Sequence, residues 1–107
     1  MSYEFDGITI EANEAGYLKF TSDWNAELAE LIANSEGIEL TQKHWDIIQY
    51  IRIEYFGSQG LYPLVRSMKS AMEKQWQQKV SHKDLYALFP GSPSKQGIRI
   101  AGLPETV

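Results

Sequence analysis

The chain has 107 residues, a net charge of −4 and a hydrophobic fraction of 43%, and it contains no cysteine. Without cysteine these residues can form neither disulfides, nor thiolate metal sites, nor a thiol nucleophile. A chain of this length can bury a core of its own, and an aromatic fraction of 12% argues against disorder. We therefore predict one folded domain over 1–107.

No apolar run approaches the roughly 20 residues of a membrane-spanning helix, and the acidic start of the chain lacks the apolar region of a secretory signal. We therefore predict a cytoplasmic protein that does not insert into membranes. The charge is unevenly distributed, at −8 over 1–51 and +4 over 52–107. This asymmetry indicates either a partner surface or two halves that face each other within one fold.

A β-hairpin is predicted at the start of the chain. Two short segments of alternating apolar and polar residues flank Asp6-Gly7, a pair that accepts the positive φ angles of a type I′ turn. Phe5 then pairs with Ile8, and Tyr3 pairs with Ile10. We expect all four side chains to share one face and to pack on a helical body, because an isolated hairpin is only marginally stable in water.

Five helices are predicted from apolar residues at helical spacing and from capping signals. A serine or threonine cap, or a proline in the first turn, begins each helix. The predicted spans are 21–36, 41–56, 63–79, 81–89 and 92–101, with Gly37 and Gly102 as stop signals. The segment from Leu103 to Val107 is predicted to be a free tail.

The helix over 41–56 is predicted to be central. Its main apolar stripe falls within an arc of roughly 100° and consists of Ile47, Ile48, Ile51 and Tyr55. Further apolar residues lie outside that arc: Trp45, Tyr50, Ile53 and Phe56. We therefore expect this helix to be contacted from more than one side.

These elements predict a small, mostly α (α+β) domain, an orthogonal helical bundle with an N-terminal β-hairpin and a flexible C-terminal arm. The hairpin region covers 1–20, the helical body covers 21–101, and the arm covers 102–107.

Few residues carry recognisable chemistry. The two histidines, His44 and His82, lie on different predicted elements, whereas a zinc site needs three or four convergent ligands. We interpret His44 as a surface residue of its helix and His82 as a first-turn residue. Two acid pairs are interpreted as solvated surface groups, because catalytic carboxylates need a desolvated cleft: Glu11 with Glu14, and Glu27 with Glu30. No phosphate-binding loop occurs, and we predict no metal and no cofactor.

The helices over 41–56 and 63–79 also allow a helix-turn-helix interpretation. Arg66, Lys69 and Lys74 on the second of them could reach the phosphates of DNA. The first helix is apolar, the whole chain is acidic, and core packing explains the same pattern. DNA is therefore the weakest of the partner hypotheses.

Several segments spread over nearly the whole chain form a characteristic set. They are Gly16-Tyr17-Leu18-Lys19, Asp23-Trp24-Asn25, Glu36 to Thr41 with His44-Trp45, Leu88-Phe89-Pro90-Gly91, and Ile100-Ala101-Gly102-Leu103-Pro104, with Arg52, Tyr55, Pro63 and Arg66 between them. This set resembles the DsrC/TusE family, which comprises the gamma subunit of dissimilatory sulfite reductase and its sulfur-relay relatives.

The resemblance implies a sulfur carrier that uses a near-terminal cysteine on a flexible arm, and in DsrC-type members a second cysteine before the Ile-Ala-Gly-Leu-Pro run. Thr106 and Ile98 stand at these two places, and the tail after Pro104 is shorter than the usual family ending. Sulfur transfer requires a thiolate, which neither side chain can supply. We therefore predict no catalytic residue and a non-catalytic member of the family.

On this interpretation the chain acts by binding protein partners of the sulfur-relay or sulfite-reductase machinery, where it regulates or competes. The predicted contacts lie in the stretch from Lys95 to Val107 and are Lys95, Arg99, Leu103, Pro104, Thr106 and Val107, with Arg66 and Lys69 as second choice. Arg99 is the predicted charged contact. The alternative is a TusE-like component that assists sulfur transfer between other proteins, for tRNA thiolation or sulfur oxidation.

Overall fold

The computed structural model describes residues 1–105, which form two strands and five α-helices. The strands are β1 (Ser2–Phe5) and β2 (Ile8–Glu11), and the helices are α1 (Ala26–Ser35), α2 (Gln42–Gly57), α3 (Val65–Trp76), α4 (His82–Leu88) and α5 (Gln96–Ile100). The predicted fold class, a small and mostly α domain with an N-terminal hairpin, is confirmed. None of the helices formed by residues 1–105 has the length and apolar character needed to cross a membrane.

The hairpin has the predicted turn and register. Asp6-Gly7 adopts φ angles of 53° and 77°, and the antiparallel pairing sets Tyr3 opposite Ile10 and Phe5 opposite Ile8. Only the pair farther from the turn is buried on the body, because the turn end projects into solvent. The expectation that all four side chains are covered is wrong for Ile8, which is 59% exposed.

Two predicted helix starts are confirmed. α2 begins after Thr41, whose N–H donates to His44 Nδ1 at 3.0 Å. α4 begins after Ser81, whose Oγ accepts from Asp84 N at 3.1 Å while Asp84 Oδ2 accepts from Ser81 N at 2.9 Å. This reciprocal capping box satisfies backbone donors that the helix itself leaves without a partner.

The predicted start of the first helix is wrong. Asn25 is its cap, since its Oδ1 accepts from Leu28 N at 2.8 Å. The predicted caps Thr21 and Ser22 instead belong to a separate 3₁₀ turn, Thr21–Asp23. Trp24 therefore lies outside the helix, in an extended link, where its indole can turn toward the end of α5.

Two later helices begin after their predicted starts. Leu64, with ψ of 157°, is extended, so α3 begins at Val65 and not at Pro63. Ser92, with φ of 102°, is left-handed and does not act as the predicted helix cap, and α5 begins only at Gln96. The predicted extension of α3 to residue 79 is also wrong, because Gln77 is left-handed and the helix ends at Trp76.

α2 lies at the centre of the fold, as predicted, and packs against both α3 and α5. Its fully buried side chains are Ile47, Ile48 and Ile51. α3 adds Met68 and Met72 to this core, α4 adds Leu85, and the residues around α5 add Phe89, Ile98, Ile100 and Leu103. One further side of α2 stays open, since Ile53 and Phe56 are exposed.

Candidate functional site

The C-terminal segment, defined as residues 95–105, carries four of the eight predicted binding residues. Two side chains of the body hold its backbone. The Trp24 indole Nε1 donates to Ile100 O at 2.8 Å, and Arg52 Nη1 donates to Ala101 O at 2.6 Å. The last carbonyls of a helix have no partner within the helix, so these two bonds satisfy them and anchor the end of α5.

Gly102 allows the close approach that this anchoring requires. Its φ of 73° lies in the left-handed region, which glycine adopts without steric cost. A Cβ at this position would lie 2.1 Å from Cδ1 of the Trp24 indole, well inside van der Waals contact. The prediction that Gly102 ends the last helix is confirmed, and the indole adds a second reason for glycine here.

Residues 103–105, which follow Gly102, all contact the body of the domain. The Leu103 side chain is fully buried. The Tyr62 hydroxyl donates to Pro104 O, and Asn13 Nδ2 donates to Glu105 Oε1 at 2.7 Å. The prediction of a free tail is wrong for Leu103, because burial in the core outweighs the freedom that a terminal segment would otherwise have.

Ile98 occupies the position at which the resemblance places the inner cysteine. It is 1% exposed, and it lines a cavity of about 270 Å³ with Tyr62 and Lys95. The Tyr62 hydroxyl also donates to Pro104 O, so Leu103 and Pro104 lie beside this cavity. Thr106 and Val107, the outermost predicted contacts, lie outside the described residues.

Arg99, the predicted charged contact, is engaged within the molecule. Its Nη1 donates to Glu36 Oε1, which also accepts from Gln96 Nε2 at 2.9 Å. The guanidinium lies 5.1 Å from the centroid of the Tyr17 ring, and burial raises the pKa of the Tyr17 hydroxyl while Arg99 opposes that rise. The Arg99 side chain is 22% exposed, so a partner could reach only part of it. Lys95 is the exposed cation of this region.

The second predicted pair lies elsewhere. Arg66 is exposed and lines a separate cavity of about 510 Å³ beside Tyr50 and Lys74. Lys69 Nζ lies 3.9 Å from Glu73 Oε1 on the same helix. Arg66 and Lys95 therefore line different cavities, and the structure does not join the two sets of predicted contacts into one site.

His44 is buried, so its interpretation as a surface residue is wrong. Its Nε2 donates to Leu88 O at 2.8 Å, and its ring meets Phe89 edge-on with centroids 5.1 Å apart. Nδ1 accepts the Thr41 N–H, which identifies the neutral tautomer with the proton on Nε2. Burial lowers the pKa of His44. This histidine joins α2 to the end of α4.

The other histidine and the two acid pairs lie on the surface, as interpreted from the sequence. His82 is exposed, and so are Glu11, Glu14, Glu27 and Glu30. Within residues 1–105 no three His, Asp or Glu side chains are placed to hold a metal ion.

Four residues that hold the tail were not predicted as site residues: Asn13, Trp24, Arg52 and Tyr62. Trp24 and Arg52 were noted only as part of the family resemblance. Their roles depend on partners 76 and 49 positions away. No local pattern in the sequence indicates such contacts.

Comparison with known proteins gives one consistent result. The family described as "DsrC like protein" matches residues 4–107. A protein named sulfurtransferase TusE from Yersinia pestis is 39% identical over 105 residues, which cover 97% of this chain and 95% of the relative. Sulfurtransferase TusE of Escherichia coli K12 is 38% identical over 104 residues, covering 96% and 94%.

Solved structures show the same architecture. The oxidized gamma subunit of dissimilatory sulfite reductase (DsrC) from Archaeoglobus fulgidus matches with a TM-score of 0.91 and 35% identity, covering 100% of this chain and 97% of that one. The NMR structure of DsrC from Allochromatium vinosum matches with a TM-score of 0.86 and 39% identity, at the same coverage.

Proposed function

This chain belongs to the DsrC-like protein family, and on that premise we propose that it acts by binding protein partners in sulfur-relay or sulfite-reductase complexes without carrying sulfur itself. It would regulate such a complex, or compete there with a cysteine-bearing relative. The proposal places it in the cytoplasm and assigns it no cofactor.

The absence of cysteine from a chain that keeps the family fold carries this proposal. Persulfide chemistry needs a thiolate nucleophile, and the 107 residues contain none. Ile98 adds a buried aliphatic side chain to the core where the resemblance places a thiol. The fold nevertheless keeps an anchored C-terminal segment, held by Trp24 and Arg52, and this supports a docking role.

Within that segment we assign the partner contact to the exposed surface around Lys95. Its ammonium is exposed and can pair with an acidic partner. Arg99 contributes through its exposed fraction, and its bond to Glu36 holds it in one orientation.

The alternative is a sulfur-relay component that positions the cysteines of other proteins. The relatives named sulfurtransferase TusE favour it. Transfer of ³⁵S between a persulfide donor and its acceptor, with and without this protein, separates the two. Inhibition supports a competitor, acceleration supports the relay component, and no effect contradicts both.

The proposal is tested by a native pull-down with identification by mass spectrometry. Lys95→Glu is the informative variant, because Lys95 is exposed and its side chain makes no hydrogen bond within residues 1–105. Lys79→Glu, at another exposed lysine that lies outside the segment, is the matched control. Truncation after Gly102 is unsuitable, because it removes the buried Leu103 and so disturbs the core.

We expect the native chain and Lys79→Glu to recover sulfur-relay or sulfite-reductase proteins, and Lys95→Glu to recover at least about fivefold less, the loss of one charge-assisted contact. Equal recovery by both variants would reject the assigned surface. Recovery of no such protein by the native chain would reject the proposed function, and salt-dependent retention on DNA would then support the helix-turn-helix alternative.

A further inference from the structure

A groove on the open side of α2 is not used by the C-terminal segment. It has a volume of about 630 Å³ and is lined by Trp24, Gln42, Trp45, Ile48, Gln49, Arg52, Ile53 and Phe56. Apart from Trp24, all of these lie on α2, and most fall at spacings of three, four or seven residues. Trp45, Ile53 and Phe56 are among the apolar residues that lie outside the main stripe of this helix. The rim is open, with Ile53 64% and Phe56 57% exposed.

The walls of this groove are predominantly apolar and aromatic. Pockets of this size and character are typical of sites that accept a large apolar group. A contiguous exposed apolar patch on a small domain commonly marks an interaction surface. The volume of the groove is sufficient for one large apolar side chain.

Arg52 supplies the only charge among the groove-lining residues. Its guanidinium carbon lies 3.9 Å from the centroid of the Trp24 ring and 5.2 Å from that of Phe56. One of its nitrogens donates to Ala101 O. The ion pairs within residues 1–105 are Lys69–Glu73 and Arg99–Glu36, so Arg52 has no carboxylate partner there.

A partly buried cation without a counter-charge favours an anionic ligand. A guanidinium has five donors, and burial lowers the pKa of Arg52 because its charged form is partly desolvated. A carboxylate beside it would replace lost hydration with a charge-assisted hydrogen bond. A basic ligand would instead meet a like charge at this point.

We infer that this groove is a docking site for a segment of another protein that carries a large apolar side chain next to a carboxylate. The apolar side chain packs on Trp45, Ile53 and Phe56, and the carboxylate pairs with Arg52, which lies over the Trp24 ring. The inference adds a second contact to the proposed binding function and rests on it only in taking the ligand to be a protein.

Peptide titration followed by NMR tests this site directly. The probe is acetyl-Glu-Phe-Leu-Glu-amide, and its uncharged match is acetyl-Gln-Phe-Leu-Gln-amide. The indole N–H signals of Trp24 and Trp45 report on the groove. The indole of Trp76 is the internal reference, because it donates to Asp46 Oδ2 and does not line the groove.

We expect the acidic peptide to shift the Trp24 and Trp45 signals, to leave Trp76 unchanged, and to bind at least about fivefold more tightly than the neutral peptide, the expected gain from one charge-assisted contact. Added salt should reduce this difference. Equal affinity for the two peptides, or no shift up to the solubility limit, would overturn the inference.

Two matched variants complete the test. Ile53→Glu places a carboxylate on the rim and should abolish binding of the acidic peptide without unfolding the domain, because Ile53 is largely exposed. Ile8→Glu, at a similarly exposed residue of the hairpin, should bind as the native chain does. Sedimentation that depends on concentration in the native chain and not in Ile53→Glu would assign the groove to a second copy and overturn the inference. None of these outcomes depends on the pull-down, so the two proposals can fail separately.

Discussion

Similar apolar side chains are buried in the C-terminal segment and exposed on the open face of α2. Leu103 follows the last helix, where a terminus would ordinarily be free, yet it is fully buried. Ile53 lies in the middle of the central helix, where burial is expected, yet it is 64% exposed. The difference shows that anchoring by hydrogen bonds and neighbouring side chains, and not the position of a residue in the chain, decides which apolar surface is covered.

Among the variants that compare the two regions, Gly102→Ala should cause the largest loss of stability. The new Cβ would overlap the Trp24 indole, and alanine is strained at a φ of 73°, so we expect a loss of about 4 kcal/mol or more in the free energy of unfolding. Gly37→Ala is the control, since its φ is 77° but nothing lies within 4 Å of the added Cβ. Backbone strain alone should cost it about 1–2 kcal/mol. Equal losses in urea denaturation would mean that Trp24 does not pack against this glycine.

Leu103→Ala compares the two regions directly. Removing a buried leucine side chain should lower the free energy of unfolding by about 3 kcal/mol. Ile53→Ala on the open face should change it by no more than about 0.5 kcal/mol, because the side chain is mostly in solvent already. Similar losses for the two variants would show that the open face is covered in solution or that the tail is detached.

Tyr62→Phe should loosen the tail without removing core volume. It deletes the hydroxyl that donates to Pro104 O, and a hydrogen bond of this kind contributes about 1 kcal/mol. Tyr86→Phe, at an exposed tyrosine, is the matched control and should leave thermal stability unchanged. If both variants have the same melting temperature as the native chain, this hydrogen bond does not contribute to stability.

The buried His44 gives a smaller, pH-dependent test of the side of α2 that packs against the core. Because burial lowers its pKa below the usual 6.5, the unfolded chain binds a proton more readily than the folded one. This contribution to stability is complete above about pH 6.5 and is lost as the pH falls through the lower pKa of the folded state. His44→Gln should flatten this part of the pH profile, and the exposed His82→Gln should not. A profile unchanged by His44→Gln would place the histidine in solvent.

Local signals predicted much of the fold correctly. The Asp6-Gly7 turn predicted the hairpin register, and Thr41 and Ser81 predicted the starts of two helices. Each depends on residues within a few positions of one another. The start of the first helix was predicted wrongly because local cap signals competed there, and Asn25, not Thr21 or Ser22, is the cap.

The candidate site was predicted less completely. The C-terminal segment and Lys95 were predicted as contacts, and Lys95 is exposed in the structure. The ion pair that holds Arg99 against Glu36 was not predicted, because the two residues are 63 positions apart. His44 was wrongly predicted to be exposed, because its partner Leu88 lies 44 positions further along the chain. Hydrogen bonds over such distances leave no periodic trace in the sequence.

The sequence by itself determined the hairpin, the apolar stripe of α2 and the lack of any thiol, because these follow from residue types and short spacings. Only the tertiary structure decided that Leu103 is anchored and that the face with Ile53 and Phe56 stays open. The physical reason is that the tail is held by Trp24, Arg52 and Tyr62 across 76, 49 and 42 positions. Which of two apolar surfaces is buried depends on such long-range contacts, and the sequence pattern is the same in either case.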